Sequence, residues 1–155
     1  MAANNPTQFR KMVLVAPEGI RPPQGYIMDF FQVMAPQHFA ATMLNPAEVP
    51  EIADLYGGQG PEAFELWEEA RAQTARLAWQ PFLFNPGLPH LLPVAAGLPT
   101  LLIWGRDDAV VPIGAAELYL KSIPGATLKV YDKCGHRPEV EKSAQFIAEV
   151  QGFLA

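Results

Sequence analysis

The chain of 155 residues has a formal net charge of −5, and half of its residues are hydrophobic. The acidic balance disfavours nucleic acid and anionic membrane surfaces as partners, and no apolar run approaches the ~20 residues of a membrane-spanning helix. With one cysteine and three separated histidines, we expect no disulfide framework, no metal site and no cofactor. The composition predicts a cytoplasmic globular protein, or part of one, that buries a single core.

The first predicted element is a strand. Residues 9–17 form a strand-like run whose apolar part is 11–16. The polar residues before it have neither the apolar core of a secretory signal nor the Arg-rich pattern of a transit peptide.

A helical segment follows, because residues 23–95 are rich in proline and aromatic residues and lack strand patterns. The candidate helices are 26–34, 36–44, 46–56 and 61–79, and several of them begin at a proline, which favours the first helical position. The last of these has Phe64, Trp67, Thr74 and Ala78 on one side. His38 and His90 fit surface or partly packed histidines better than catalytic ones. The pattern of residues 87–99 predicts a linker with a short helix that leads back to the sheet.

The remaining residues predict a β-α-β-α unit. A continuous apolar run at 99–104 and an alternating one at 126–131 indicate strands, and 113–123 has the spacing of a crossover helix that opens after Pro112. Apolar residues then recur at helical spacing up to Leu154. In open parallel sheets, ligands bind at the carboxyl ends of the strands. Asp108 and His136 both lie at such predicted ends.

Asp108 and His136 are the candidate functional residues. They lie in two motifs, Gly-x-x-Asp-x-x-Val-Pro at 105–112 and Gly-His-x-Pro-x-x-Glu at 135–141. An imidazole acts as general base and acid, while a carboxylate on its other ring nitrogen fixes its tautomer and stabilises the imidazolium. Taken singly, the Asp would be a helix cap and the His a turn residue. The order and spacing of the two motifs favour the acid–base pair.

On these motifs the chain resembles, from about Phe9 onward, the C-terminal portion of an α/β-hydrolase-fold enzyme. The resemblance implies an α/β fold with about three parallel strands, flanking helices and a helical cap. It implies that residues 1–22 are the end of the nucleophile helix and the first core strand, 23–95 the cap, and 96–155 the core that carries the acid and the base. Asp108 then takes the acid position and His136 the base position, whereas Asp107 is a variable neighbour.

The resemblance also implies a substrate pocket lined by the cap. Six residues are candidates for its lining: Phe30, Phe31, Met34, Trp67, Phe82 and Phe84. Aromatic and Met residues at helical spacing are usually cap core, so for any single one of them a packing role is favoured.

The nucleophile of such an enzyme is missing from the sequence. The family order is Ser, Asp, His, and the serine sits on a Gly-x-Ser-x-Gly elbow that does not occur here. The two serines, Ser122 and Ser143, lie in predicted helices without flanking glycines, and Cys134 is too close to His136 along one loop. The resemblance therefore implies a nucleophile roughly ten residues before Met1, with the oxyanion donors also outside the chain.

Three functional interpretations follow. The first is a truncated hydrolase, inactive alone, whose parent cleaves an ester, thioester or carbon–carbon bond of a small apolar substrate through a nucleophile-His-Asp triad. The second is a complementing half-enzyme, in which an N-terminal half docks on the exposed strand 11–16. The third is a non-catalytic binding or dimerisation module that keeps the acid and the base by descent. The exposed strand 11–16 is also a candidate edge for self-association of the chain.

The parent chemistry has its own alternatives. The ending Val111-Pro112 and the context of His136 resemble meta-cleavage carbon–carbon hydrolases and their esterase relatives. However, Arg137 stands where those carbon–carbon hydrolases commonly have Trp. An epoxide hydrolase or haloalkane dehalogenase, with an Asp nucleophile and the same His, is the alternative.

Overall fold

The structure is a computed structural model that describes residues 2–49, 60–78 and 83–155. Within these residues three strands form a parallel sheet in the order β1-β2-β3: β1 Met12–Val15, β2 Thr100–Gly105 and β3 Thr127–Tyr131. Every residue of β2 is buried, as expected of a central parallel strand covered on both faces. β3 alternates between exposed and partly buried residues up to the buried Tyr131, so the apolar patterns predicted all three strands and their types.

Six α-helices are described around the sheet. They are α1 Ala35–Ala41, α2 Pro61–Ala78, α3 Leu88–Leu91, α4 Gly114–Ser122, α5 Pro138–Glu141 and α6 Ser143–Leu154, with short 3-10 segments at Pro6–Gln8, Pro46–Glu48 and Leu92–Ala95. The crossover helix between β2 and β3 is α4, and α5 and α6 follow β3. The described part of residues 96–155 is therefore the β-α-β-α unit that the sequence predicts.

The two faces of the sheet carry two separate cores, because successive side chains of a strand point to opposite sides. Leu102 and Trp104 of β2 belong to the larger cluster, which includes Ala115, Ala116 and Tyr119 of α4. The indole Nε1 of Trp104 donates to the Val111 carbonyl at 2.9 Å. On the other face, Leu101 and Ile103 pack with Tyr131 and Cys134 against partly buried side chains of α6.

The prediction of a helix at 26–34 is wrong, because this segment consists of turns and extended chain. Asp29 accepts hydrogen bonds from the Phe31 amide and from the Gln32 side chain, each at 2.9 Å. Such local side-chain bonds compete with a helix. The Met28 amide donates instead to the Val110 carbonyl at 2.8 Å. The segment is thus held by the loop that follows β2.

The other predicted helices of segment 23–95 differ in their bounds. The helix predicted at 36–44 is α1, and the one at 61–79 is α2, with Trp79 outside the described residues. Of the prediction at 46–56, the structure describes only the 3-10 segment Pro46–Glu48 and Val49, since residues 50–56 lie outside the described part. Of the predicted apolar side of α2, Phe64 is 48% exposed, whereas Trp67, Thr74 and Ala78 are partly buried. Within the described ranges, no helix combines the length and the apolar character needed to cross a membrane.

Candidate active site

Asp108 is held rigidly in the loop that follows β2. Its Oδ1 accepts hydrogen bonds from the amides of Val110 and Val111, both at 2.8 Å, and its side chain is 0% exposed. An aspartate that bonds to the backbone two and three residues ahead closes a tight turn. The turn precedes α4, whose N-cap is Ile113 without a side-chain hydrogen bond, so Asp108 closes a turn and does not cap the helix.

His136 lies in the loop that follows β3, opposite Asp108. Its Nδ1 is 2.9 Å from Oδ2 of Asp108, and its side chain is 19% exposed. Since a carboxylate can only accept, Nδ1 of His136 donates this hydrogen bond. The His136 backbone amide donates to the Thr42 carbonyl at 2.9 Å. The two side chains that the sequence singled out therefore form a hydrogen-bonded pair.

Gly105 allows the two loops to meet. A Cβ at this position would lie 1.9 Å from the Gly135 carbonyl oxygen and 2.4 Å from that of Cys134, distances that no side chain tolerates. The amide of Asp107 donates to the Cys134 carbonyl at 3.0 Å, and Arg106 pairs with Asp132. The end of β2 can thus lie directly against the His-bearing loop.

Two further titratable groups interact electrostatically with the pair. Glu18, in the loop after β1, has a raised pKa because burial disfavours its charged form; the charge of His136 opposes this effect and that of Asp108 adds to it. His38, in α1, has a lowered pKa because of burial, with smaller contributions in the same direction from His136 and Arg71. Both shifts favour the uncharged side chains beside the Asp–His pair.

The predicted pocket residues lie in different environments. Phe30 is buried, and its ring centroid lies 4.3 Å from that of Phe31 and 5.2 Å from that of His38. Phe31 and Phe84 are partly buried against the main core. Trp67 stacks on Phe39 with centroids 6.0 Å apart, Met34 is 62% exposed, and Phe82 lies outside the described residues. A role in substrate contact stays a prediction for all six.

The described nucleophilic side chains are poorly suited to catalysis. Ser122 is buried in α4, Ser143 begins α6, and burial, with a smaller effect of Glu141, raises the pKa of the Cys134 thiol to about 12. A thiol with that pKa stays protonated at neutral pH and is a weak nucleophile.

Among the described residues, no group of three His, Cys, Asp or Glu side chains is arranged to hold a metal ion.

Three residues near the pair were not identified as candidates from the sequence: Glu18, His38 and Glu141. Glu18 follows a predicted parallel strand, a position that could have drawn attention to it. His38 lies in α1, and no local sequence signature predicts that α1 comes close to the Asp–His pair. Glu141 is the last residue of the second motif, where its presence was noted without a role.

Comparison with known proteins shows what the chain is similar to. A family model described as alpha/beta hydrolase fold matches residues 57–142. The chain is 38% identical over 149 residues to a 2-hydroxy-6-oxononadienedioate/2-hydroxy-6-oxononatrienedioate hydrolase of Dechloromonas aromatica, which covers 96% of this chain and 49% of that protein. The chain thus spans about half the length of this curated relative.

Solved structures agree on the fold. A 2-hydroxy-6-oxo-6-phenylhexa-2,4-dienoate hydrolase from Rhodococcus superposes with a TM-score of 0.68 at 20% identity, over 99% of this chain and 58% of that one. A serine hydrolase from the hydrocarbon-degrading bacterium Cycloclasticus zankles gives a TM-score of 0.73 at 21% identity, with the same coverage of 99% and 58%.

Proposed function

The chain belongs to the alpha/beta hydrolase fold family, and from this premise we propose that it supplies the acid and the general base of a hydrolase active site. His136 is the base and Asp108 the acid that orients it. The observation that supports the proposal most strongly is the 2.9 Å contact between His136 Nδ1 and Asp108 Oδ2, in which Oδ1 is already taken by two backbone amides.

Proton transfer in this proposal runs through Nε2 of His136. Nε2 accepts a proton from the attacking hydroxyl or water and later returns it to the leaving group. Asp108 stabilises the imidazolium that forms, and the amides of Val110 and Val111 compensate the burial of its carboxylate. The nucleophile, a serine or an aspartate, and the oxyanion donors come from a segment that precedes the matched region in relatives.

The proposed substrate is a small molecule with an electrophilic carbonyl. Curated relatives act on 2-hydroxy-6-oxo dienoate-type compounds, according to their names, which favours cleavage of a carbon–carbon bond over that of an ester or thioester. The buried ring of Phe30, next to Phe31 and His38, offers an apolar wall with one neutral polar group for such a substrate. Arg137 departs from the Trp common in carbon–carbon hydrolases, and it is the position at which substrate preference is expected to differ.

We further propose that the chain alone does not turn over substrate and that a nucleophile-bearing half pairs with β1. β1 lies at one end of the described sheet, where its second edge has no partner strand among the described residues. An open edge of this kind accepts a further strand. The supporting observation is that the chain covers 49% of its curated relative and 58% of the superposed structures.

The test joins this chain to the part of the Dechloromonas aromatica relative that precedes the matched region, and compares hydrolysis of the relative's substrate by four proteins. They are the chain alone, the chimera, the chimera with His136→Ala, and the chimera with His90→Ala as a matched control on an exposed histidine. We expect turnover by the chimera and by the His90 variant only.

Two results would contradict the proposal. Turnover by the chain alone would show that it contains its own nucleophile. A chimera that is folded by circular dichroism and equally active with His136→Ala would remove this residue from the reaction.

A further inference from the structure

The loop that carries His136 is bonded to the segment after α1. The His136 amide donates to the Thr42 carbonyl at 2.9 Å, and Thr42 is 6% exposed. Two residues further along, the Leu44 amide reaches the same loop through the side chain of Glu141. The position of the imidazole therefore depends on a part of the chain that lies outside the β-α-β-α unit.

Glu141 bridges these segments through both oxygens of its carboxylate, and the two hydrogen bonds to Gly135 and Leu44 are called the Glu141 clamp below. Its Oε1 accepts from the Gly135 amide at 2.7 Å, and its Oε2 accepts from the Leu44 amide at 2.9 Å. Each oxygen of one carboxylate thus serves a different segment. Hydrogen bonds to a charged acceptor are stronger than neutral ones, and a carboxylate can accept at both oxygens while a carboxamide can accept at only one.

Gly135 gives this clamp its close fit. A Cβ at Gly135 would lie 2.8 Å from the Leu44 nitrogen, 2.9 Å from Glu141 Oε1 and 3.0 Å from the Met43 carbonyl carbon. The loop and the segment 42–44 therefore touch backbone to backbone. Gly135 is also the residue whose carbonyl oxygen lies against Gly105, so it is confined from both sides.

We propose that Glu141 is a positioning residue, which ties residues 42–44 to the loop at Gly135 and thereby holds the His136 imidazole on Asp108. The inference rests on the proposed role of His136, whereas the clamp itself consists of the two hydrogen bonds that Glu141 accepts. Without it, Gly135 and Leu44 lose their acceptor, the loop separates from residues 42–44, and the imidazole leaves the carboxylate. Residues 42–44 would then be a fixed part of the site and not a lid that opens.

The test reads the imidazole directly and needs no turnover. Long-range 1H–15N correlation spectra of the 15N-labelled 155-residue chain report which ring nitrogen of His136 carries the proton, with His136→Gln as the assignment. Hydrogen exchange reports the amides of Leu44, Gly135 and His136. The variants are Glu141→Ala, Glu141→Gln and, as a matched control, Glu149→Ala, which removes a glutamate that pairs with Lys129 at 3.2 Å in a different part of the chain.

In the original chain we expect the proton on Nδ1 and slow exchange at the three amides. Glu141→Ala should lose the Nδ1–H signature and accelerate exchange at Leu44 and Gly135 by roughly tenfold or more, as expected for a lost bond to a charged acceptor. Glu141→Gln, with one acceptor, should accelerate one of these two amides and retain part of the signature. Glu149→Ala should leave both readouts unchanged.

The proposal fails if Glu141→Ala keeps the Nδ1–H signature, or if Glu149→Ala loses it to the same extent. Because Glu141→Gln preserves shape and volume, it decides the matter even where the Ala variant unfolds: unchanged exchange at both Leu44 and Gly135 in the Gln variant overturns the clamp. An inactive chimera in the functional test has no bearing on these spectra, so the two proposals fail separately.

Discussion

The Asp108 carboxylate accepts three hydrogen bonds, and their arrangement separates it from its neighbour Asp107. Oδ1 holds the turn through Val110 and Val111, and Oδ2 meets His136. Asp107 is exposed, and its backbone amide donates to the loop of His136. The family resemblance predicts Asp108 as the acid, and this role stays a prediction. The geometry supports it, because the side chain of Asp108 is buried with hydrogen-bond partners at both oxygens.

Replacement of Asp108 by Asn should reduce turnover about 10⁴-fold in the active chimera, because a carboxamide no longer selects the tautomer with the proton on Nδ1. The amide nitrogen of Asn only donates, so it would meet another donor in either orientation, a backbone N–H or the imidazole N–H. Measurement of kcat for Asp108→Asn beside Asp107→Asn checks this expectation. A loss at position 107 as large as that at position 108 would mean that Asp107 is the acid.

The raised pKa of Glu18 predicts that the free energy of unfolding depends on pH. Burial raises its pKa above the ordinary value of 4.5, so the folded chain retains a proton that the unfolded chain releases. Stability is therefore lost as the pH rises from the unfolded pKa through the folded one. Glu18→Gln does not titrate, and its advantage over the original chain in free energy of unfolding should grow from pH 4 to pH 7.

Urea denaturation at a series of pH values measures this difference, with Glu65→Gln on the exposed face of α2 as the control. An advantage of Glu18→Gln that is the same at every pH would show that proton uptake by Glu18 is not its cause.

At the scale of elements, the sequence predicted the β-α-β-α unit well and residues 26–34 poorly. The unit is dictated by local patterns: an apolar run for β2, alternation for β3 and helical spacing for α4 and α6. Residues 26–34 have a helical pattern as well, but the Asp29 side chain and the bond from Met28 to Val110 override it. A contact with a loop more than eighty positions away has no signature in a short window of sequence.

The approach of β2 to the loop of His136 makes Gly105 sensitive to any side chain. Gly105→Ala places a methyl group on the Gly135 and Cys134 carbonyls, and the displacement should lower the free energy of unfolding by about 3 kcal/mol or more. Gly152→Ala, in α6 with nothing within 4 Å of its Cβ, should be neutral or stabilising by up to about 1 kcal/mol. Urea denaturation of both variants compares them. Equal stabilities would contradict the close approach of the two segments.

For the molecule as a whole, the two faces of the sheet are unequally covered. The main cluster includes fifteen buried residues, whereas the cluster under α6 includes four. No residue of α6 is buried, and Ile147 is 52% exposed. Apolar surface is thus exposed over α6, and the second edge of β1 has no partner strand among the described residues.

The edge of β1 should mediate self-association of the chain alone. The amides of Met12 and Ala16 both bond toward β2, and because backbone groups alternate, the Val13 N–H points to the open edge. Val13→Pro removes this N–H donor. Val13→Ala removes side-chain volume but keeps the N–H donor. Sedimentation velocity at rising concentration should show association for the original chain and for Val13→Ala, and a monomer for Val13→Pro. Association of all three alike would exclude pairing through this edge.

The span of the clamp has a consequence for the order of folding. Asp108 and His136 are 28 positions apart within one β-α-β unit, whereas Leu44 and Glu141 are separated by 97. Closing the longer loop costs more chain entropy and is the slower event. Asp108 and His136 can therefore meet when β2 and β3 pair, and we expect the contact of Glu141 with residues 42–44 to form later. Of these two contacts, the one that fixes the His136 loop is therefore expected to form last during folding.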